Sequence, residues 1–196
     1  MSCGWEVVVL DLHPPSENFH LDIDFIEGDI RDQTTVEDIV QGCEAVVHLA
    51  AQISVPDSFI NPEKTRSINV EGTQVILEAS NKYDVQKVVI ASSAAVYGRT
   101  SSFPLEEEMA GDCISPYAKS KWENEIQVDQ FRKLGLNSIA LRFFNVYGPG
   151  QSIEMRMLQS FPSSYISWRT IKSQQFMEMG NKQGISFTLM ILSMRS

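Results

Sequence analysis

Glu6-Val7-Val8-Val9-Leu10-Asp11 is a short apolar, largely β-branched run closed by an acid, and the rest of the chain is read outward from it. β-Branched residues fit a pleated strand, and a run without polar alternation predicts burial on both faces. The pattern returns. Asp22 to Glu27 is a second strand candidate, closed by Gly28-Asp29, and Ala45-Val46-Val47-His48-Leu49-Ala50 is a third. Lys87 to Ser92 is a fourth, and Asn137 to Phe144 a fifth. Helical patterns lie between them. Thr35 to Val40 is short, and Asn61 to Asn81 places Ile68, Thr73, Val75, Ile76 and Ala79 on one broad face. Ser115 to Leu134 is long, with Ser115 as N-cap, Pro116 at the first position and Gly135 ending it. Strands alternating with helices predict an α/β fold, a doubly wound parallel sheet covered on both faces. Ligands of such sheets sit at the carboxyl ends of the strands.

Composition narrows the function. The chain has 196 residues, 43% of them apolar and 21% charged, an ordinary globular balance. Its net charge of −9 argues against nucleic acid as a partner, which needs a basic face. No apolar run reaches the length of a membrane span, and no basic start precedes an apolar stretch. The three cysteines, Cys3, Cys43 and Cys113, are too scattered for a disulfide framework or a metal site, so no metal and a reducing compartment are expected.

The strand ends carry the chemistry. Asp11 stands where an acid accepts hydrogen bonds from ribose hydroxyls in dinucleotide folds. Alone, a turn aspartate reads equally well. Asp29 and Ile30 follow the second strand, where an acid and an aliphatic group can hold an adenine edge. Leu49-Ala50-Ala51-Gln52 follows the third and lets backbone approach a cofactor closely. His48, inside that strand, reads as a core histidine. The strongest signal is Tyr117-Ala118-Lys119-Ser120-Lys121, with tyrosine and lysine on one helical face. A nearby ammonium is expected to lower the phenol pKa, so that Tyr117 can take a hydroxyl proton while hydride leaves the same carbon. Ser93, in Ser92-Ser93-Ala94-Ala95-Val96-Tyr97-Gly98 at the end of the fourth strand, can share that proton.

Taken together, these segments resemble the extended short-chain dehydrogenase/reductase family. Asn69-Val70-Glu71-Gly72-Thr73 and Arg142-Phe143-Phe144-Asn145-Val146-Tyr147-Gly148-Pro149 add to the set. Within that family they look most like NAD-dependent nucleotide-sugar epimerases of the UDP-glucose 4-epimerase kind, over about residues 5–151. The resemblance implies a Rossmann-like fold with Ser93, Tyr117 and Lys121 as catalytic residues. It implies Asp11, Asp29, Ile30, Leu49, Ala50, Gln52, Asn69 and Phe144 around NAD, and Asn145 on the nucleotide-sugar side. The implied reaction is transient oxidation at sugar C4, rotation of the 4-keto sugar, and hydride return to its other face. A cytoplasmic homodimer is implied as well. Related 4,6-dehydratases carry an Asp-Glu pair after the catalytic hydroxyl residue. Ala94-Ala95 stand there in this chain, which sets the dehydratase reading aside.

Two departures shape the expectations. No Gly-rich turn precedes Val7, so the sheet is expected to lack the family's first strand and the amides that hold a pyrophosphate. The strands at Val7–Leu10 and Ala45–Leu49 are then expected to face an open slot. The other departure is the tail. Residues 153–196 carry five basic and two acidic residues and six of the eight methionines. Within Gln175–Ile191, QFMEMGNKQGISFTLMI, codons such as CAA-TTT-ATG-GAG-ATG-GGA-AAC-AAA regroup to encode IYGDGKQ, a segment usual in the family. Residues 1–151 therefore read as a partial dinucleotide-binding domain. Residues 152–196 read as an out-of-frame tail in place of the nucleotide-sugar lobe, one that does not extend the core. The expected chain is a truncated, inactive epimerase. A non-catalytic remnant and a sterol-type reductase are the alternatives.

Overall fold

The computed structural model of the chain describes residues 5–14, 23–99, 103–146 and 189–194. Five strands run where the apolar pattern places them: β1 Trp5–Asp11, β2 Asp24–Glu27, β3 Ala45–His48, β4 Lys87–Ser93 and β5 Ser138–Phe143. α1 Gln33–Val40 is capped by Asp32, whose carboxylate accepts from the Thr34 and Thr35 amides. α5 Pro116–Lys133 is capped by Ser115 as expected. β1 and β2 pair in parallel, and so do β3 with β4 and β4 with β5.

The slot between β1 and β3 is filled. β6, Leu189–Met194, runs antiparallel to both and gives the sheet order β2-β1-β6-β3-β4-β5. Leu189 stands opposite Leu10 on one side and His48 on the other. This corrects two expectations. The sheet has a strand in its third position, and Leu189–Met194 of the tail pairs within the sheet. The physical reason is backbone satisfaction. A strand between two others gives hydrogen bonds to both, so the amides and carbonyls of β1 and β3 are paired rather than left in an apolar slot. Residues 153–188, the bulk of the segment read as out of frame, lie outside the described residues.

Leu10, Val46, Val88 and Ile90 point to one face of the sheet, where they join Val36 and Val40 of α1, Ile76 and Leu77 of the helix Gly72–Lys82, and Val128 and Phe131 of α5 in one core. Among the described residues the packed helices lie on that face. On the opposite face of the edge strand β5, Ile139 keeps 47% of its surface and Phe143 41%. That face is open at β5 but covered at β1, where Val7 and Val9 are buried.

The helix expected over Asn61–Asn81 runs unbroken from Pro62 to Lys82, with a π-turn Ser67–Glu71 between α3 Pro62–Arg66 and α4 Gly72–Lys82. A wide turn frees main-chain carbonyls, and α5 takes them. Asn124 Nδ2 donates to the Asn69 carbonyl at 2.8 Å and Gln127 Nε2 to the Val70 carbonyl at 3.1 Å. Thr73 Oγ1 also donates to the Asn69 carbonyl at 2.6 Å. Such bulges recur at functional sites. α2, Val55–Ile60, has no apolar period to announce it, and buries only Ser58.

Gly98 closes the 3₁₀ turn Ala94–Tyr97 at φ +64°, and a β-carbon there would collide with the Asp112 carbonyl. Gly98→Ala is expected to cost more than about 2 kcal/mol, from the left-handed backbone and the displaced 112 segment together. Urea unfolding measures it; a midpoint equal to that of the parent would contradict this account of the turn.

Candidate functional site

The site is built on the carboxyl edge of the parallel strands. Register puts Asp11 beside Glu27, His48 beside Ile90 and Ser93 beside Phe143. The residues expected from strand ends therefore share one edge, while Tyr117 and Lys121 come from α5, which packs on β4 and β5.

Three expected side chains lie near the end of β4. Ser93 Oγ accepts from the Ala95 amide at 3.2 Å and lies near enough to Tyr117 to favour its phenolate. Lys121 is buried and donates from Nζ to the Ala91 carbonyl at 2.9 Å. Burial brings its ammonium down to about 8. The Tyr117 phenol departs from expectation. Burial raises it above its ordinary value, and Ser93 offsets only part of the rise. Lys121, whose Nζ is directed to the Ala91 carbonyl, does not lower it here.

The residues expected around the adenosine end lie together. Leu12, Gly28, Asp29, Ile30 and Ile68 line a narrow slot between the ends of β1 and β2 and the π-turn. Asp11 accepts from the His13 amide at 3.1 Å. Asp29 is gripped by Arg31, which donates from Nη2 to Oδ2 at 2.6 Å and from Nε to Oδ1 at 3.0 Å. Those hydrogen bonds hold the carboxyl below its usual range. Arg31 also reaches Ser67 Oγ on the π-turn at 3.2 Å, so the slot has a fixed wall.

Asn69 acts on the loop after β3. Its Oδ1 accepts from the Gln52 amide at 2.7 Å, and its Nδ2 donates to the Gln52 carbonyl and to Ser120 Oγ. Gln52 and Ala50 are buried, and Leu49 is 40% exposed. Phe144 is exposed and tilts against Tyr97 at 6.3 Å between ring centroids; Asn145 is exposed beside it.

Sequence reasoning passed over Glu125 and gave Arg142 no role. Arg142 grips Glu125 in a two-pronged ion pair, Nε to Oε1 at 2.9 Å and Nη2 to Oε2 at 2.8 Å. Glu125 continues the four-residue stride from Tyr117 and Lys121, and that stride is the signal that could have found it.

The residues of this edge fit an NAD molecule in part. Asp11, Asp29 and Ile30 offer the carboxylates and the aliphatic side chain an adenosine would need, while the slot lined by Asp29 and Ile30 is too narrow as it stands to admit a base. A parallel strand in the third sheet position would end at this edge and lead into a turn of amides for the pyrophosphate. β6 is antiparallel and begins there, at Leu189. Among the described residues no Gly-rich turn stands at that point.

The comparisons agree with this geometry. The sequence model of the NAD dependent epimerase/dehydratase family matches residues 1–181, beyond the residue-151 limit drawn from the motifs. The chain belongs to that family. A putative UDP-glucose 4-epimerase of Methanocaldococcus jannaschii is 39% identical over 153 residues, 76% of this chain and 50% of that protein. The structure of UDP-glucose 4-epimerase from Thermotoga maritima with UDP-glucose superposes with a TM-score of 0.68 at 36% identity, over 74% of this chain and 49% of that one. A dTDP-glucose 4,6-dehydratase from Streptomyces venezuelae with NAD bound gives 0.70 at 32% identity, over 76% and 49%. The chain thus spans about half the length of the relatives it matches.

His48 is a core histidine, as its strand position implies. It is 2% exposed, its Nε2 meets Thr73 Oγ1 at 2.9 Å, and burial, then the Lys121 charge, brings it down to about 3. The unfolded chain binds a proton near pH 6.5 that the folded chain refuses until about 3. Stability is therefore lost as pH falls from 6.5. Between pH 7 and 5 the parent should lose about 2 kcal/mol more than His48→Gln, at about 1.4 kcal/mol per unit. Equal losses in urea titrations at the two pH values would contradict the burial of a neutral imidazole.

Proposed function

We propose that this edge is the site of an NAD-dependent nucleotide-sugar 4-epimerase of the UDP-glucose 4-epimerase kind. The observation that supports it most is that Ser93 and Tyr117 come together at the end of β4, with Lys121 one turn along the same helix, on the strand-end edge that also carries Asp11 and Asp29. When bound, NAD supplies a hydride acceptor at C4 of the sugar. The chain's residues handle the proton. Tyr117 takes it from the sugar hydroxyl, Ser93 shares it and orients the sugar oxygen, and Lys121 holds the end of β4 through the Ala91 carbonyl. Asp11 and Asp29 would hold the adenosine end, with Ile30 against the base. Leu49, Ala50 and Gln52, set by Asn69, would line the cofactor together with Phe144, and Asn145 would lie toward the nucleotide sugar. Ala94 and Ala95 occupy the 3₁₀ turn after Ser93 and carry no acid, which favours epimerisation over loss of water.

The same reading makes the 196-residue chain a weak binder of NAD and not by itself an active epimerase, since among the described residues no Gly-rich turn of amides stands where the pyrophosphate would lie. It also carries the out-of-frame reading of residues from 153 onward, against which stand the family match to residue 181 and the pairing of Leu189–Met194 in the sheet. The gene's nucleotide sequence tests that point, and codons that do not regroup into a family segment reject it.

A graft tests the site. Residues 5–151 replace the matching segment of the Bacillus subtilis UDP-glucose 4-epimerase, which is 34% identical to this chain over 161 residues. The graft should turn over UDP-glucose, and Tyr117→Phe should lower kcat by ~10²–10⁴-fold, the usual worth of a general base. A folded graft without turnover, or a Tyr117→Phe variant within threefold of it, rejects the proposed roles.

A further inference from the structure

Arg142 is not an ordinary surface cation. Its side chain is 17% exposed and that of Glu125 14%, so this ion pair is largely desolvated. Removing two charges from water is costly, and apolar residues of the same volume would often be as stabilising. A grip of this kind therefore calls for an explanation beyond cohesion. Its contacts supply one. Glu125 Oε1 accepts from Ser92 Oγ at 2.5 Å as well as from Arg142 Nε. Arg142 Nη1 donates to Tyr97 Oη at 3.0 Å and to the Glu107 carbonyl at 2.7 Å. The guanidinium also lies over the Tyr97 ring at 4.9 Å and the Trp122 ring at 5.8 Å.

These partners bracket the candidate site. Ser92 precedes Ser93, and Tyr97 ends the 3₁₀ turn that follows it. Both ends of the segment bearing Ser93 are thus fixed to one ion pair. Glu125 lies two helical turns beyond Tyr117 on the same face of α5. Glu107 belongs to the connection between β4 and α5. We propose that Glu125 and Arg142 are positioning residues: their ion pair holds Ser92 and Tyr97 against α5, and so sets where the Ser93 hydroxyl lies relative to Tyr117. The inference rests on the proposed function for what the contact does, but not for whether the contact is set in this way. A guanidinium is needed because the task takes a fork for Glu125 and further donors for Tyr97 and Glu107. A lysine offers a single point of charge.

The experiment reads the contact directly, without NAD or turnover. The full chain is labelled at tyrosine ¹³Cζ, and the Tyr117 signal is identified as the one missing from Tyr117→Phe. Loss of the hydroxyl partner in Ser93→Ala moves that signal. Arg142→Met and Glu125→Gln should move it the same way, and adding Ser93→Ala to Arg142→Met should move it no further. Arg142→Lys should fail to restore the parent position. If Arg142→Met does not fold, Glu125→Gln, nearly the same shape, and Ser92→Ala carry the test alone. A Tyr117 signal that stays at the parent position in folded Arg142 and Glu125 variants, while only the melting temperature falls, overturns the proposal. So does a full Ser93→Ala shift in the Arg142→Met background. In the active graft, Glu125→Gln should lower kcat by ~10–100-fold, as expected for a small misplacement, with KM within threefold. A graft that never turns over rejects the functional reading, while the Tyr117 shifts still decide whether the ion pair sets the contact.

Discussion

One hydrogen bond fixes the frame of the site. Lys121, buried on α5, gives its Nζ to the carbonyl of Ala91 inside β4. A desolvated ammonium without a partner would be strongly unfavourable, so the helix is held where Lys121 can reach that carbonyl. The stride of four then places Tyr117 at Ser93, where β4 ends, and Glu125 at Ser92 and Arg142. On the neighbouring face of α5, Ser120, Asn124 and Gln127 take up Asn69 and the carbonyls freed by the π-turn. Asn69 in turn fixes Gln52. Chemistry and architecture thus share one helix, and a shift of α5 would move both.

The electrostatics of this frame differ from a simple tyrosine–lysine pair. Burial works against both charged forms. It keeps the Tyr117 phenol protonated and pulls Lys121 toward neutrality at about 8. A nearby positive group or a bound substrate oxygen would be needed to favour phenolate. In the chain alone the site is thus set in geometry and not yet in charge.

Much of this was legible locally. β1 to β5 follow from apolar runs with turn residues after them, and Ser115 with Pro116 marks the start of α5 without tertiary help. Ser93, Tyr117 and Lys121 could be read because one spacing and one strand end place them. What escaped depends on distant partners. The π-turn is stabilised by Asn124 and Gln127, about fifty residues away in sequence from the carbonyls they take. β6 owes its place to backbone pairing with β1 and β3, which periodicity in Leu189–Met194 does not encode. The Arg142–Glu125 pair joins β5 to α5, and only register and docking bring its partners together. The Tyr117 phenol was misjudged because burial, unlike spacing, is a property of the folded chain.

In the proposed dinucleotide site Asp11 and Asp29 serve the adenosine end, while among the described residues no cradle of amides serves the pyrophosphate. Calorimetric titration of the 196-residue protein with NAD and, separately, with adenosine tests it most directly. The account predicts two dissociation constants within about threefold of each other, both near millimolar, or roughly −4 kcal/mol. A micromolar constant for NAD, far tighter than for adenosine, would contradict it and would show that other residues hold the pyrophosphate.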